Sequence, residues 1–301
     1  MRRVYGSLVA LCLLAAPASA YFESSEVGTR ALALGNNFVS VAEDASALYW
    51  NPAGLARVPR HELLLTLDHT GDLEGLRRSF AGAVLHTSPV SFGVGWNAVR
   101  LDGALREDLF YLSASRILVR RPLGAYIAAG GTLKLAHVGV DTEGFESVPG
   151  LRADETRLTG DLGVLLSPIP NVTVGATWRN LGQPQFDLVQ GGTKTTLQDE
   201  LEWGVSLRWR ANAELHFSRV RHARIDAVNK LGVEVTIAGH LEARVGVSRN
   251  VVAAGVGITW RSWQIESSFY AHEDLGVTTR IGLRFAFGAV RKAAGDGFDE
   301  L

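Results

Sequence analysis

The feature that most constrains this chain is a period-two alternation of apolar and polar residues that recurs over most of its length. From Leu201 to Trp209 every second residue is apolar, and the residues between them are Glu, Gly, Ser and Arg. The same alternation runs through 172–179, 231–237 and 241–248. Because successive side chains of a β-strand point to opposite faces, each segment predicts a strand with one apolar face.

Similar segments continue from His61 almost to the end of the chain. They predict about fourteen strands, with twelve as the lower bound. The segments are 61–68, 78–86, 90–100, 108–120, 124–138, 155–167, 172–180, 200–210, 213–222, 230–238, 241–248, 251–260, 263–272 and 278–287. An even number of strands is what a closed bacterial β-barrel requires.

The connections between these segments are short at one end of the predicted strands and mostly longer at the other. Tight turns follow the even-numbered segments, at 87–89, 121–123, 168–171, 211–212, 239–240 and 261–262. Longer links follow the odd-numbered segments, notably near 139–154 and 181–199, and 249–250 is the one short exception. This asymmetry is typical of outer-membrane barrels, whose short turns face the periplasm. We therefore predict an all-β fold, a transmembrane antiparallel β-barrel of about 14 strands.

A soluble β-sandwich would also alternate, so it is the competing fold. Two features favour the barrel. Tryptophans lie on the apolar face at or near segment ends, where a lipid interface would hold them: Trp96, Trp178, Trp203, Trp209, Trp260 and Trp263. The opposite face carries charges, which suit a wall that borders water or a polar plug: Asp161, Arg179, Glu202, Arg208, Glu234, Glu242, Arg244, Glu266 and Arg284.

The first twenty residues predict a cleaved signal peptide. Arg2 and Arg3 precede an apolar run at 8–16, and Ala18-Ser19-Ala20 is a small-x-small cleavage site. We therefore expect export and a location in the outer membrane of a Gram-negative cell. Cleavage would also remove Cys12, the only cysteine, which excludes disulfides and thiolate metal sites.

The charge balance excludes nucleic acid as a leading partner. The chain has 30 basic and 31 acidic residues, so it has no cationic excess to neutralise phosphates. We also expect no cofactor, no metal and no catalytic residue. The eight histidines show no zinc-site spacing, and His216 and Ser218, which share a strand face, lack the further groups that a nucleophile needs.

The last strand resembles the terminal β-signal of outer-membrane proteins. The segment 280–287 places an arginine first, a glycine third, and phenylalanines sixth and eighth. This resemblance implies recognition by the barrel assembly machinery. The remaining residues, 288–301, are expected to form a periplasmic tail.

The segment 21–60 does not alternate and precedes the first predicted strand. Within it, residues 28–56 read GTRALALGNNFVSVAEDASALYWNPAGLA. This run is similar to the amino-terminal motif of FadL-type transporters of long-chain fatty acids and other hydrophobic compounds, and of the related PorV/PorQ-type outer-membrane proteins. The resemblance implies that 21–60 forms a hatch or plug in the lumen. Together with the preceding predictions, this divides the chain into four parts: signal peptide (1–20), amino-terminal hatch or plug (21–60), barrel (61–287) and tail (288–301).

The residues of this segment agree with a plug. Asp44 or Ser46 can cap a short helix, and Asn51 before Pro52 favours an extended conformation that ends it. We assign Asp44, Ser46, Asn51, Pro52, Ala53 and Gly54 to the plug motif. A structural turn that only locks the plug is the alternative to direct ligand contact.

The resemblance implies passive uptake of hydrophobic or amphipathic small molecules, gated by the plug. The partners are then the lipid bilayer and the hydrophobic ligand. It also implies a sideways exit at a kink in the third strand, where Gly93 and Gly95 would weaken the strand. The alternative is a PorV/PorQ-type scaffold that holds secretion-system proteins and does not transport.

Overall fold

In a computed structural model, the chain forms a closed β-barrel with its amino-terminal segment inside. The structure describes residues 26–70, 75–140, 154–188, 194–222, 226–249, 251–272 and 276–289. The predicted signal peptide and all but the first two residues of the predicted tail lie outside the described residues.

Fourteen long antiparallel strands form the wall, and two very short strands form a separate sheet. The wall strands are β1 (His61–Thr70), β2 (Leu76–Leu85), β3 (Ser91–Leu101), β4 (Leu105–Arg120), β5 (Tyr126–Val140), β6 (Asp154–Ile169), β7 (Val172–Arg179), β10 (Glu200–Arg210), β11 (Ala213–His222), β12 (Val228–Ile237), β13 (Leu241–Ser248), β14 (Val251–Trp260), β15 (Trp263–His272) and β16 (Gly276–Phe287). The separate sheet pairs β8 (Gln185–Phe186) with β9 (Thr195–Thr196).

Each wall strand pairs with its neighbours along the chain, and β1 pairs with β16 to close the barrel, with His61 opposite Phe287. β7 pairs directly with β10, so the loop that carries β8 and β9 leaves the wall. We call the end with the tight turns the turn rim and the opposite end the loop rim. Both chain ends of the barrel lie at the turn rim.

The fold class predicted from the alternation is confirmed, and each of the fourteen predicted segments overlaps one wall strand. The prediction of a single short link at the loop rim is wrong. β3 and β4 extend further than predicted and leave only 102–104 between them, and β15 and β16 are separated by only 273–275. Strand pairing continues past the point where the apolar alternation fades, because backbone hydrogen bonds do not require it.

The two faces of the wall differ as the alternation predicts. The outer face is apolar, and the six tryptophans predicted there are 39–66% exposed. The inner face holds the predicted charged side chains, of which Asp161, Arg179, Glu202, Glu234, Arg244 and Glu266 are buried. Arg208, near the turn rim, remains 46% exposed in its side chain.

Helices are confined to short pieces. α1 (Thr29–Ala33), α2 (Ala47–Trp50) and a 3-10 helix (Pro52–Arg57) lie before the barrel, and a 3-10 turn (Pro122–Gly124) joins β4 to β5. Within the described ranges, no helix is both long and apolar enough to cross a membrane.

Candidate functional site

The plug, which we define structurally as residues 26–60, occupies the lumen. Between Val27 and Val58 only five residues are not fully buried: Arg30, Asn36, Glu43, Tyr49 and Arg57. Its largest buried side chains, Trp50, Phe38, Leu34, Leu48 and Leu55, form the apolar core of the molecule together with the inner wall. The core therefore lies between plug and wall.

The first predicted pair, Asp44 and Ser46, forms a turn that leads into α2. One carboxylate oxygen of Asp44 accepts hydrogen bonds from the Ser46 backbone N–H at 2.8 Å and from its hydroxyl at 2.5 Å. Ser46 precedes the helix, but its side chain caps no helical N–H. The carboxylate of Glu62, on the wall, accepts a hydrogen bond from the Ala45 N–H at 2.7 Å, so the turn is attached to β1.

Asn51 ends α2 in an extended conformation, as the following proline predicts (φ −163°, ψ 104°). Its side-chain amide donates to the Val39 carbonyl at 2.8 Å within the plug and to the Val164 carbonyl at 3.1 Å on β6. Its carbonyl oxygen accepts from the Ala53 N–H at 3.1 Å. One buried side chain thus joins two plug segments to the wall.

Pro52, Ala53 and Gly54 continue this attachment. The Ala53 carbonyl accepts a hydrogen bond from the Ser115 hydroxyl of β4 at 2.9 Å. A Cβ on Gly54 would overlap the Ala42 carbonyl, so only glycine fits there. All six predicted motif residues therefore lie in the plug and shape its packing, while direct contact with a ligand stays a prediction.

Glycines on the inner wall receive the plug backbone. Four pairs of them are direct cross-strand neighbours: Gly82–Gly95, Gly130–Gly163, Gly175–Gly204 and Gly232–Gly246. At Gly130 an added Cβ would lie 2.5 Å from the Pro52 carbonyl carbon, and at Gly175, Gly163 and Gly246 it would overlap plug atoms. Because these glycines have no side chain, the plug backbone can lie directly on the wall backbone.

Charged contacts hold the plug as well, and sequence reasoning missed most of them. Arg30 of α1 forms a two-point ion pair with Glu234 of β12, with N–O distances of 2.7 and 2.8 Å. It also contacts Glu43 at 3.3 Å, which in turn pairs with Arg57 at 2.8 Å. Burial would raise the pKa of Glu43, but Arg57 and Arg30 outweigh it and hold that pKa below its ordinary value.

Two cationic side chains of the wall donate hydrogen bonds to backbone carbonyls of the plug. Lys230 donates to the Asn36 carbonyl at 2.8 Å, and Arg280 donates to the Gly28 carbonyl at 3.2 Å. Both cations also pair with wall carboxylates, Glu202 and Asp68 respectively. The sequence signal that could have found them is their inward position on an alternating strand.

Gly93 and Gly95, predicted to mark a lateral opening, face the plug. A Cβ on either glycine would lie 2.8 Å from a methyl group of Leu48. β3 pairs without a register shift with β2 over Phe92–Leu101 and with β4 over Ser91–Leu101. The wall is therefore closed at β3 in this state, and a role in lateral opening stays a prediction.

His216 and Ser218 do not form a nucleophile–base pair. The His216 ring bonds the Ser206 hydroxyl at 2.8 Å, which contacts the plug residue Ser40 at 2.6 Å. Ser218 instead donates to Glu202 at 3.0 Å. Among the described residues, no group of three or more His, Cys, Asp or Glu side chains is placed to hold a metal.

Between the plug and the loop rim lies a second apolar region, which sequence reasoning also missed. Inward side chains of β4 and β5, among them Leu109, Ala136 and Val138, share one cluster with plug residues Leu48 and Trp50. The loop that carries β8 and β9 adds three buried side chains, Phe186, Leu188 and Leu197. We call this region the upper lumen. It provides an apolar environment that reaches the plug.

Two cavities lie near the rims. One of about 900 Å³ at the loop rim is lined by residues of β1–β6 and of the turn between β3 and β4, including Arg77, Trp96, Arg100 and Arg106. One of about 160 Å³ at the turn rim lies between Glu43 and Arg57 of the plug and the wall. Neither cavity connects the two rims.

The architecture defines a class: a fourteen-stranded barrel of the outer-membrane type with a folded amino-terminal plug. The sequence matches no protein-family model and no curated protein. Solved structures show the same fold. The CymD monoaromatic hydrocarbon channel is 15% identical with a TM-score of 0.65, and the match covers 90% of this chain and 100% of that one.

Two further solved structures agree. The Pseudomonas putida toluene transporter TodX is 11% identical with a TM-score of 0.66, over 88% of this chain and 99% of that one. A Pseudomonas aeruginosa FadL homologue is 11% identical with a TM-score of 0.63, over 87% and 98%. At these identities the likeness concerns the fold. The chain has the fold of FadL-type outer-membrane transporters, as the motif at 28–56 predicted.

Proposed function

We propose that this chain is an outer-membrane channel for the passive movement of hydrophobic or amphipathic small molecules, gated by the plug. The main observation in support is a closed barrel with an apolar outer face and a folded plug in its lumen. The solved structures of the same fold include monoaromatic hydrocarbon channels. An exported chain with a terminal β-signal would reach that membrane through the barrel assembly machinery.

The upper lumen supplies the path for an apolar ligand. Leu109, Val138 and Phe186 surround it with hydrocarbon, so transfer from water into this region is favourable. Phe186 is 1% exposed and occupies space that a ligand would need. A ligand entering from the loop rim would displace that ring and then meet the plug at Leu48 and Trp50.

Passage beyond that point requires part of the plug to move. Its backbone lies directly on the wall glycines, and each buried polar contact left unpaired would cost about 1–3 kcal/mol. A rearrangement of one sector is therefore favoured over release of the whole plug. The sector near β2 and β3 is held by Leu48 and Ala45 against small wall residues, and Gly93 and Gly95 lie there, so we place the exit at this sector.

The experiment that tests gating is a reversible lock between plug and wall. Ala45 of the plug lies against Gly82 of β2, where an added Cβ would be 2.8 Å from the ring of Phe80, which has to shift, and 3.3 Å from the Ala45 Cβ. That spacing is close to the range of a disulfide. The double variant Ala45→Cys, Gly82→Cys has no native thiol to compete, since Cys12 lies in the predicted signal peptide.

The variant would be placed in liposomes, and uptake of a labelled fatty acid or aromatic hydrocarbon would be measured. We expect uptake to be lost on oxidation and restored by a reductant, with the single variant Ala45→Cys unaffected by either. Uptake no faster than in empty liposomes in the reduced state would contradict transport. Equal uptake in both redox states would contradict gating at this sector.

The scaffold function is the second candidate, and the density of the plug–wall contacts favours it. Ion pairs such as Arg30–Glu234, and backbone contacts at Gly130 and Gly246, suit a plug that never opens. A PorV/PorQ-type role would then appear as a secretion-system protein that co-purifies with the barrel. Co-purification together with absent uptake would decide for this candidate.

A further inference from the structure

Two charged groups on the inner wall each carry one buried atom without a hydrogen-bond partner. They are Oδ2 of Asp161 on β6 and Nη1 of Arg179 on β7. Both residues are nearly inaccessible, at 2% and 3% exposed. A buried polar atom without a partner is costly, so a group that can form a hydrogen bond with it would be stabilised there.

The other atoms of these two side chains are fully engaged. Asp161 Oδ1 accepts from Lys134 Nζ at 2.7 Å and from the Asn180 N–H at 2.8 Å. Arg179 donates through Nε and Nη2 to Glu200, and through Nη2 to Glu202 at 3.0 Å. These bonds fix the position of each side chain, including its one polar atom that has no hydrogen-bond partner.

The free atoms belong to one region of the lumen. Leu162 pairs with Trp178, so Asp161 and Arg179 occupy the next position on β6 and β7, and the Asn180 N–H bonds Asp161 directly. The two do not form an ion pair with each other, because each is paired with other charged side chains. The Arg179 guanidinium lies over the plug ring of Tyr49 at 5.2 Å.

Tyr111 connects this region to the apolar upper lumen. Its ring belongs to the cluster that contains Leu109 and Phe186, and its hydroxyl is within electrostatic reach of Asp161 and Arg179. That hydroxyl lies beside Asn97 but makes no hydrogen bond of normal geometry. The buried apolar cluster therefore borders a set of hydrogen-bond donors and acceptors through Tyr111.

The charges around this region favour a neutral ligand. Three cations face three carboxylates: Lys134, Arg179 and Lys230 against Asp161, Glu200 and Glu202. A ligand carboxylate would add an unbalanced buried charge and would be repelled by Asp161 Oδ2. A pure hydrocarbon would leave both free atoms unpaired. A hydroxyl satisfies both, because it accepts one hydrogen bond and donates another.

We propose that the upper lumen binds hydrophobic molecules that carry a neutral hydroxyl, such as alkylphenols or long-chain alcohols. The ligand oxygen accepts from Arg179 Nη1 and donates to Asp161 Oδ2, and its apolar body takes the space of Phe186. This inference rests on the proposed channel function and specifies its ligand class.

The test is equilibrium binding to the full-length mature protein in phospholipid nanodiscs, with empty nanodiscs as the partition reference. The probes are 4-hexylphenol, its methyl ether, hexylbenzene and 4-hexylbenzoate. We expect the phenol to bind about tenfold more tightly than each of the other three, a ratio expected when a buried group is left unpaired. Equal binding of the phenol and the ether by the wild-type protein would overturn the inference without any variant.

The variant Asp161→Asn assigns the acceptor. Its amide can donate to an ether oxygen, so the phenol-to-ether ratio should fall to about one. The control is Asp68→Asn, a buried, ion-paired lumen carboxylate on β1 whose two oxygens are both bonded by Arg280, and it should keep the wild-type ratio. A tenfold ratio that survives Asp161→Asn would place the hydroxyl elsewhere and overturn the assignment.

Failure of this inference and failure of the channel function are distinguishable. Liposome uptake of a hydrocarbon or fatty acid with no preference for the phenol would overturn only the ligand class. Binding of no probe above the nanodisc reference, together with absent uptake, would overturn both.

Discussion

At the scale of single residues, glycines on the inner face of the wall make space for the plug backbone, and this accounts for much of the high glycine content of the chain. The chain has 33 glycines, and most of those that face inward on the wall lie under plug atoms. At Gly175, for example, an added Cβ would overlap the Val39 carbonyl. Gly257 is an exception, because an added Cβ there would meet only wall side chains. The reason is steric rather than conformational, because these glycines lie in regular strands.

Two adjacent glycines of β5 test this explanation. Gly130 faces the plug, where an added Cβ would lie 2.5–2.7 Å from Pro52 and Ala53 atoms, whereas around Gly131 the nearest atoms are 3.7 Å away. We expect Gly130→Ala to destabilise the protein by about 1–3 kcal/mol and Gly131→Ala to have little effect. The measurement is the temperature at which the folded band of each variant disappears on an unheated gel. Equal temperatures for the two variants would show that the plug is not packed on β5.

At the scale of elements, the plug is held by the wall and not by its own helices. α1 and α2 have five and four residues, far too few to be stable alone. Their order comes from the wall through Arg30–Glu234, Lys230–Asn36 and Asn51–Val164. The plug should therefore lose its structure whenever these contacts are lost.

Acid should loosen this element through Glu43. Its pKa is below the ordinary 4.5 in the folded state, so near and below that pH the unfolded chain binds a proton that the folded chain does not. Its stabilising contribution is complete above about pH 4.5 and declines as the pH falls. We expect the thermal midpoint of Glu43→Gln to start lower at pH 7 and to fall less between pH 5 and pH 3 than that of the wild type. Asp102→Asn, at an exposed site of the loop rim, should follow the wild-type curve, and a Glu43→Gln curve parallel to the wild type would contradict this assignment.

At the scale of the whole molecule, the barrel exposes apolar side chains on its outer face and buries charged side chains on its inner face, the reverse of a water-soluble protein. Leu67, Ile265 and Val252 are 59–67% exposed on the outer face, while Glu202 and Arg244 are buried. This arrangement is stable only when lipid covers the outer face.

An arginine scan along the outer face tests this arrangement. Val256 lies in the middle of β14 and is 49% exposed, while Ile237 is the last residue of β12 at the turn rim and is 47% exposed. In a bilayer, Val256→Arg should cost about 2–4 kcal/mol and Ile237→Arg about 0–1 kcal/mol. Reversible unfolding by denaturant in the presence of lipid vesicles measures both. Similar small costs at the two sites would mean that the outer face does not contact hydrocarbon.

Much of the fold was predictable because alternation is a local property. A strand such as Leu201–Trp209 shows its two faces in its own sequence, and the lengths of the connections distinguish the turn rim from the loop rim. The plug motif was also visible, since Asp44, Asn51 and Pro52 shape the backbone of their immediate neighbours. The two-residue strands β8 and β9 had no such signal, because two residues cannot show a period.

The sequence by itself determined the strand positions, the faces that the strands present and, through the motif at 28–56, the segment that fills the lumen, while the exact count of fourteen came from the closed barrel. Only the tertiary structure decided which wall residue meets which plug residue, such as Glu234 with Arg30 across 204 positions, or Gly246 beneath Leu34. It also decided that one oxygen of Asp161 and one nitrogen of Arg179 lie buried without a hydrogen-bond partner. Those contacts depend on strand register accumulated around a closed barrel, and register is set by all the pairings together rather than by any one segment.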